Sequence, residues 1–340
     1  MIAMRGVIGQ RAMLERLGAR ASRGDVAHAY GLYGPRSIGK RTVAIRLAQT
    51  LNCLDPKRPS GGCGTCLNCV KIERGIHADV RIVERDVANK TKIEIEVIRD
   101  MQRDLALRPL EGRTRVVIID DAADLSDVAQ DALLKTLEEP PKHAVLLLIT
   151  LSPESLFETI RSRVQPLQLR SVATSEIVAG LRERGVKDAD GVAAAAAGHP
   201  GMAIRLAADE GGERTARRAL EKEFFSLVGS RLTERFAWAA NLADESDPRK
   251  RALAIEVRFD HWVELLRDAA VTARGLEGAP LRPERAAETA RIAAKTDARE
   301  LVDASLLVQR LRRDLFWNAN ARAMLEILAL RLPYVEGAAA

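Results

Sequence analysis

Hydrophobic positions in the first half of the chain alternate between two periods. Ala29–Tyr33 is a short apolar run, Arg115–Ile119 is rich in β-branched residues, and Ala144–Thr150 is apolar almost throughout. Each has strand length and lacks the in-out alternation of a half-exposed strand, which predicts strands buried on both faces. Between them the spacing turns helical. Val43, Leu47 and Leu51 recur every fourth residue over Arg41–Leu51, and Ala129, Leu133 and Leu137 form one face of Ser126–Leu137. Ser126 suits the N-cap of that helix, and Glu138-Glu139-Pro140-Pro141 ends it. This pattern predicts an α/β domain with a mostly parallel sheet and helices on both faces, over residues 1–170.

Beyond residue 170 strand signals stop. Thr174–Arg184, Asp188–Ala197 and Gly201–Ala208 read as short helices separated by Gly185 and by Gly198-His199-Pro200, a small helical segment over 171–210. Gly211-Gly212 reads as a linker into an all-helical region, 211–340. There Ile255, Phe259, Trp262, Leu266 and Ala269 trace one apolar stripe, and Ala321, Leu325, Leu328 and Leu332 another, with Pro248, Pro280 and Pro283 as punctuation.

Composition narrows the class. Hydrophobic residues make up 47% of the 340, which excludes an intrinsically disordered chain. The apolar runs Val116–Ile119 and Val145–Ile149 are too short to span a bilayer, and no signal region of sufficient length opens the sequence, so the chain reads as cytoplasmic. A net charge of +6 is compatible with a nucleic-acid partner, but arginines on solvated helix faces explain it equally well. Aromatics are 4% of the residues, which argues against a base-stacking platform.

Gly34-Pro35-Arg36-Ser37-Ile38-Gly39-Lys40 fits the first seven positions of a phosphate-cradling loop, between a strand and a helix. Glycines let backbone amides curl around phosphate oxygens, and the lysine reaches the terminal phosphates. The next position calls for the Ser or Thr hydroxyl that ligates magnesium. Here it is Arg41, and a guanidinium cannot bind a metal cation. Thr42 follows one residue late, turned by about 100° on a helix. Asp120 ends its strand where a magnesium-associated aspartate belongs, Asp121 stands in the place of a catalytic base, and Thr150 ends the next strand. Together these form a degenerate nucleotide site in which ATP binding is doubtful, or else, for the aspartates, a pair of solvated carboxylates.

All four cysteines fall between positions 53 and 69. Cys53 is followed by nine residues and then by Cys63, Cys66 and Cys69 in two consecutive C-x-x-C spacings. Such a set places four thiolates around one ion with no open position, the mark of a structural zinc, with an iron–sulfur cluster as the alternative use of the same donors.

These residues together resemble one family, the AAA+ clamp-loader subunits of bacterial DNA polymerase III. The resemblance runs through the first 210 residues: Val7-Ile8-Gly9-Gln10, His28-Ala29-Tyr30, the cysteine module followed by His77-Ala78-Asp79, the stretch Asp131–Pro141, and Ile160-Arg161-Ser162-Arg163-Val164. The last looks like the family's Ser-Arg-Cys element with valine for cysteine. The C-terminal third matches in pattern and in the helix Asn318–Leu332.

The resemblance implies an AAA+-like domain, a helical lid over 171–210 and a helical collar beyond. It further implies a hetero-pentameric ring with γ/τ motor subunits and δ, which loads a sliding clamp onto primer–template DNA. Two kinds of subunit in the family share this fold, the γ/τ motor and δ′. A motor would carry Ser or Thr at position 41, glutamate at 121 and a sensor arginine at 201, where this chain has Arg41, Asp121 and Gly201. The three departures imply the δ′ kind, without ATP hydrolysis. In it Arg163 is an arginine finger presented to a neighbour's ATP, a role that suits a planar, permanently charged group. The rival readings are a γ/τ-type ATPase with an unusual loop and a zinc-dependent DNA-binding module. For the latter Lys57, Arg58, Lys71 and Arg74 lie near the cysteines, but so do Asp55 and Glu73.

Overall fold

The computed structural model describes residues 7–57, 59–84, 92–208, 212–276, 285–316 and 320–337. Arg58, Pro280, Pro283, Asn318 and Gly211, which enter the reading above, lie outside the described residues. By its backbone contacts the chain divides into two compact units, 1–204 and 205–340.

In the first unit the strands are β1 (Ala29–Tyr33), β2 (Val80–Val83), β3 (Arg115–Ile119), β4 (Ala144–Thr150) and β5 (Gln165–Gln168). The helices are α1 (Arg11–Ser22), α2 (Lys40–Asn52), α3 (Leu67–Glu73), α4 (Ile95–Ala106), α5 (Asp127–Glu138), α6 (Glu158–Arg161), α7 (Thr174–Arg182) and α8 (Ala189–Ala195). A ninth, α9 (Pro200–Ala208), contains the boundary between the units. Among the described residues the strands form one parallel sheet in the order β2-β3-β4-β1-β5.

Both faces of this sheet are covered, which explains the apolar runs of β1, β3 and β4. Val116 and Ile118 of β3 pack with Leu14 and Leu17 of α1 and Val43 and Leu47 of α2. Val117 and Ile119 pack on the other side with Ile98 and Met101 of α4 and Ala129 and Leu133 of α5. The Ser126 hydroxyl accepts the amide of Ala129 at the start of α5, the expected N-cap. β5 was not legible in the pattern: Pro166 interrupts it, and it is tolerated because β5 is an edge strand paired only with β1. Parallel pairing aligns the carboxyl ends of the strands, so the segments after Tyr33, Val83, Ile119 and Thr150 share one rim of the sheet.

The second unit contains α10 (Gly212–Gly229), α11 (Leu232–Ala243), α12 (Pro248–Ala273), α13 (Ala286–Lys295), α14 (Ala298–Phe316) and α15 (Ala321–Arg331). Gly212 opens a helix, so the linker expected at the Gly-Gly pair does not include it. Pro248 starts α12, where its missing N–H costs nothing. The Ile255, Phe259, Trp262, Leu266 and Ala269 stripe is buried in the core of this unit, as are Leu325, Leu328 and Leu332.

That core surrounds an unusual cation. Arg235 is 2% exposed and donates to the backbone carbonyls of Leu227, Val228 and Ser230 at the end of α10, and of Ala329, Leu332 and Pro333 at the end of α15. Two helix C-termini supply the negative ends of their dipoles, so the guanidinium charge is balanced without a carboxylate among the described residues. Burial lowers its pKa from the usual arginine value, with Tyr334 opposing.

Candidate functional site

The phosphate loop connects β1 to α2 at the carboxyl rim. Its turn requires positive φ at Gly34 (150°), Ser37 (59°) and Gly39 (99°), which glycine adopts freely and serine does so at a cost. Lys40, 8% exposed, turns its Nζ back onto the loop and donates to the Gly34 carbonyl at 2.6 Å and the Pro35 carbonyl at 2.8 Å.

Arg41 occupies the position of the missing hydroxyl and does something no hydroxyl could. One terminal nitrogen donates to Asp120 Oδ2 at 2.8 Å and the other pairs with Glu84 Oε1 at 2.5 Å. The guanidinium thus bridges the ends of β2 and β3, as a divalent cation between carboxylates would. Burial raises the Asp120 pKa; the Arg41 hydrogen bond opposes this, and nearby Asp121 adds to it. Asp121 itself is held at φ 52° and is exposed. Thr150 is fully buried, and its hydroxyl meets Ser155 Oγ at 2.9 Å.

Gly201 stands where the resemblance expects a sensor arginine. Its N–H, free of an intrahelical partner at the start of α9, donates to the Ser37 carbonyl at 2.8 Å. A Cβ at Gly201 would lie 2.9 Å from that carbonyl oxygen and 3.2 Å from the Ser37 Cα. The loop backbone fills the space a side chain would need.

Arg163 follows α6 on a separate part of the surface. Its guanidinium donates to the Thr159 carbonyl at 2.9 Å, to Ser162 Oγ at 3.3 Å and to Glu138 Oε1 at 2.9 Å. Glu138 is the last residue of α5, and nothing local marks it as the partner of Arg163. Glu84 is the corresponding omission beside Arg41.

The four cysteines converge. Their sulfurs lie within 4.8 Å of one another, with Cys53–Cys66 and Cys63–Cys69 at 4.0 Å. A tetrahedron with metal–sulfur bonds of about 2.3 Å has sulfur–sulfur edges of about 3.8 Å, so the donor set fits one ion. The backbone amides of Cys63, Cys66 and Cys69 donate to the sulfurs of Cys53, Cys63 and Cys66, which favours thiolates. At Cys63 burial is opposed and outweighed by the Thr65 hydroxyl and nearby amides, which bring the thiol down to about 6. Burial pushes Cys53 and Cys69 up.

Beside the module, Asp79 is buried, and its carboxylate accepts the amides of Leu110, Glu111 and Gly112 at 2.7–2.8 Å. Burial favours its neutral form, but these amides and Arg115 outweigh burial and hold the carboxyl below its usual range.

A parallel sheet in this order, with a phosphate loop after β1 and paired aspartates after β3, defines a protein of the AAA+ class. Residues 9–173 match the family described as DNA polymerase III, delta subunit. The chain is similar to the tau subunit of Escherichia coli K12, 34% identical over 80% of this chain and 40% of that protein. It is similar also to the delta′ subunit of Pseudomonas aeruginosa, 40% identical over 45% of each, and to the gamma subunit of Buchnera aphidicola subsp. Schizaphis graminum, 37% identical over 50% of this chain and 46% of that protein. The chain spans less than half the length of these relatives. Over residues 9–173 the chain is thus similar to the AAA+ clamp-loader subunits of bacterial DNA polymerase III. Tau, gamma and delta′ subunits all match it, and among the described residues no helix is long and apolar enough to cross a membrane.

Proposed function

We propose that this chain is a δ′-type subunit of the clamp loader, a non-hydrolysing member of a ring whose ATPases are γ/τ motor subunits. The observation that carries the reading is the Arg41 guanidinium between Asp120 and Glu84, in the position a magnesium ion would need. Lys40 bound to its own loop and Gly201 closed on Ser37 support it from two other nucleotide contacts. The sheet domain and the lid over 171–210 then act as a scaffold. The helices of 211–340 supply the collar of a hetero-pentamer with γ/τ and δ, which opens a sliding clamp onto primer–template DNA. Arg163 serves as the arginine finger for a neighbouring motor's ATP. The four cysteines hold a structural zinc: a closed tetrathiolate set with no redox signature in the sequence favours zinc over an iron–sulfur cluster.

The tau and gamma similarities favour the competing reading, an active motor. Measured ATP turnover separates the two. The purified chain with ATP and magnesium is expected to show none above background, and turnover abolished by Lys40→Ala would overturn the δ′ assignment.

A further inference from the structure

We infer that Glu138 is a positioning residue for Arg163, holding its guanidinium in a fixed plane with donors left for a phosphoryl group; this rests on the finger reading proposed above. A guanidinium has five N–H donors. Among the described residues three are engaged: both of one terminal nitrogen by the Thr159 carbonyl and the Ser162 hydroxyl, and one of the other by Glu138 Oε1 at 2.9 Å. Two remain, the number a bidentate contact with phosphate oxygens uses. The guanidinium is still open to solvent, with a side-chain exposure of 37%.

The three acceptors come from two elements. Thr159 and Ser162 belong to the short α6 segment that carries Arg163, a segment held in the sheet core by Ile160 and Val164. Glu138 ends α5, whose inner face is locked into the sheet core through Ala129, Leu133 and Leu137. The carboxylate therefore fixes the guanidinium from a second anchored element, so that it is held from α5 as well as from its own turn. Ordering of the arginine is completed within the chain before the neighbour's ATP arrives, which is how positioning accelerates a step without touching the reacting atoms.

The test uses the complex reassembled with its partner subunits, clamp and primed DNA, and reads stimulated ATP turnover. Glu138→Ala is expected to lower kcat at the site Arg163 serves about fivefold, the scale of a half-exposed ion pair, with KM for ATP unchanged. Glu138→Gln, which keeps an acceptor, is expected to recover part of that loss. Glu138→Ala combined with Arg163→Ala should be no slower than Arg163→Ala alone, a non-additivity that general damage to the fold would not produce. If Arg163→Ala slows the complex and Glu138→Ala leaves kcat unchanged or raises it, the positioning role is refuted while the finger stands. If Arg163→Ala itself has no effect, the finger reading fails and this inference with it.

Discussion

Arg41 and Asp120 are 79 residues apart in sequence and meet at 2.8 Å on the carboxyl rim of the sheet. With Glu84 at the end of β2, the contact turns a nucleotide-type site into a protein-internal ion cluster. A positive charge is retained between the carboxylates, and the chain itself supplies it.

Removing that charge has a pH signature. Burial raises the Asp120 pKa above its unfolded value, so ionising Asp120 costs stability as pH rises through the folded pKa; the Arg41 hydrogen bond limits the cost. In Arg41→Ala the Asp120 pKa is expected to rise further. The variant's deficit should be small below pH 4 and grow to about 1 kcal/mol at neutral pH, since the pair is half exposed. Urea midpoints of both proteins from pH 4 to pH 8 measure this, and a deficit independent of pH would contradict the assignment.

The cysteine module should depend on metal while the sheet does not. About one equivalent of zinc is expected in protein purified without chelator. Cys63→Ser or exhaustive chelation should loosen residues 53–73, because much of the folding free energy of such a module comes from the ion. Hydrogen exchange should show faster exchange there and retained protection in β3 and β4, whose core takes Ile72 from this segment but rests mainly on α1, α2, α4 and α5. Equal loss of protection throughout the first unit would contradict this.

Asp79 is expected to be intolerant of even an isosteric change. In Asp79→Asn one acceptor oxygen becomes an NH2 facing a backbone amide among Leu110–Gly112, at a cost of about 1–3 kcal/mol. Because the folded pKa is depressed, the wild-type contribution is present above the ordinary Asp value of about 3.9 and is lost as pH falls below it. The gap between wild type and Asp79→Asn should therefore narrow under acid in denaturant titrations.

Arg235 should be the residue on which the second unit most depends. Arg235→Ala would leave carbonyls at two helix ends unpaired in a buried space, with an expected loss of about 3–5 kcal/mol. Arg235→Lys should rescue little, since an ammonium has three donors without the planar fork. Chemical denaturation followed by tryptophan fluorescence would report it, because Trp238 and Trp262 lie in that core. A loss under 1 kcal/mol for the alanine variant would show the network to be dispensable.

Arg163→Ala should leave the free chain folded, because the side chain is partly exposed and outside the sheet core. In the assembled complex the site it serves should slow by a factor on the order of 10³, with total turnover falling far less because other sites keep their own fingers. Arg163→Lys should restore little, as a point charge lacks the bidentate fork. Clamp loading and ATPase rates at wild-type level in the Arg163→Ala complex would rule the role out.

Features legible along the chain were those whose cause is local. Continuous apolar runs announced β1, β3 and β4, and Ser126 with the Pro140-Pro141 stop bracketed α5. The glycines of the phosphate loop and the short cysteine spacings worked the same way, since backbone conformation and metal geometry are set within a few residues. Short polar β5 with Pro166 carried no such signal, because its place depends on an edge being open beside β1. The partners of Arg41, Arg163 and Arg235 were also out of reach. With 47 acidic residues in the chain, pattern alone gives Arg41 no reason to choose Glu84 and Asp120; parallel pairing does, by aligning the ends of β2 and β3. Gly201 read only as a missing arginine until folding brought α9 onto the Ser37 carbonyl and left no room for any side chain. Such contacts join segments distant in sequence, and their geometry exists only once the sheet and its covering helices have packed.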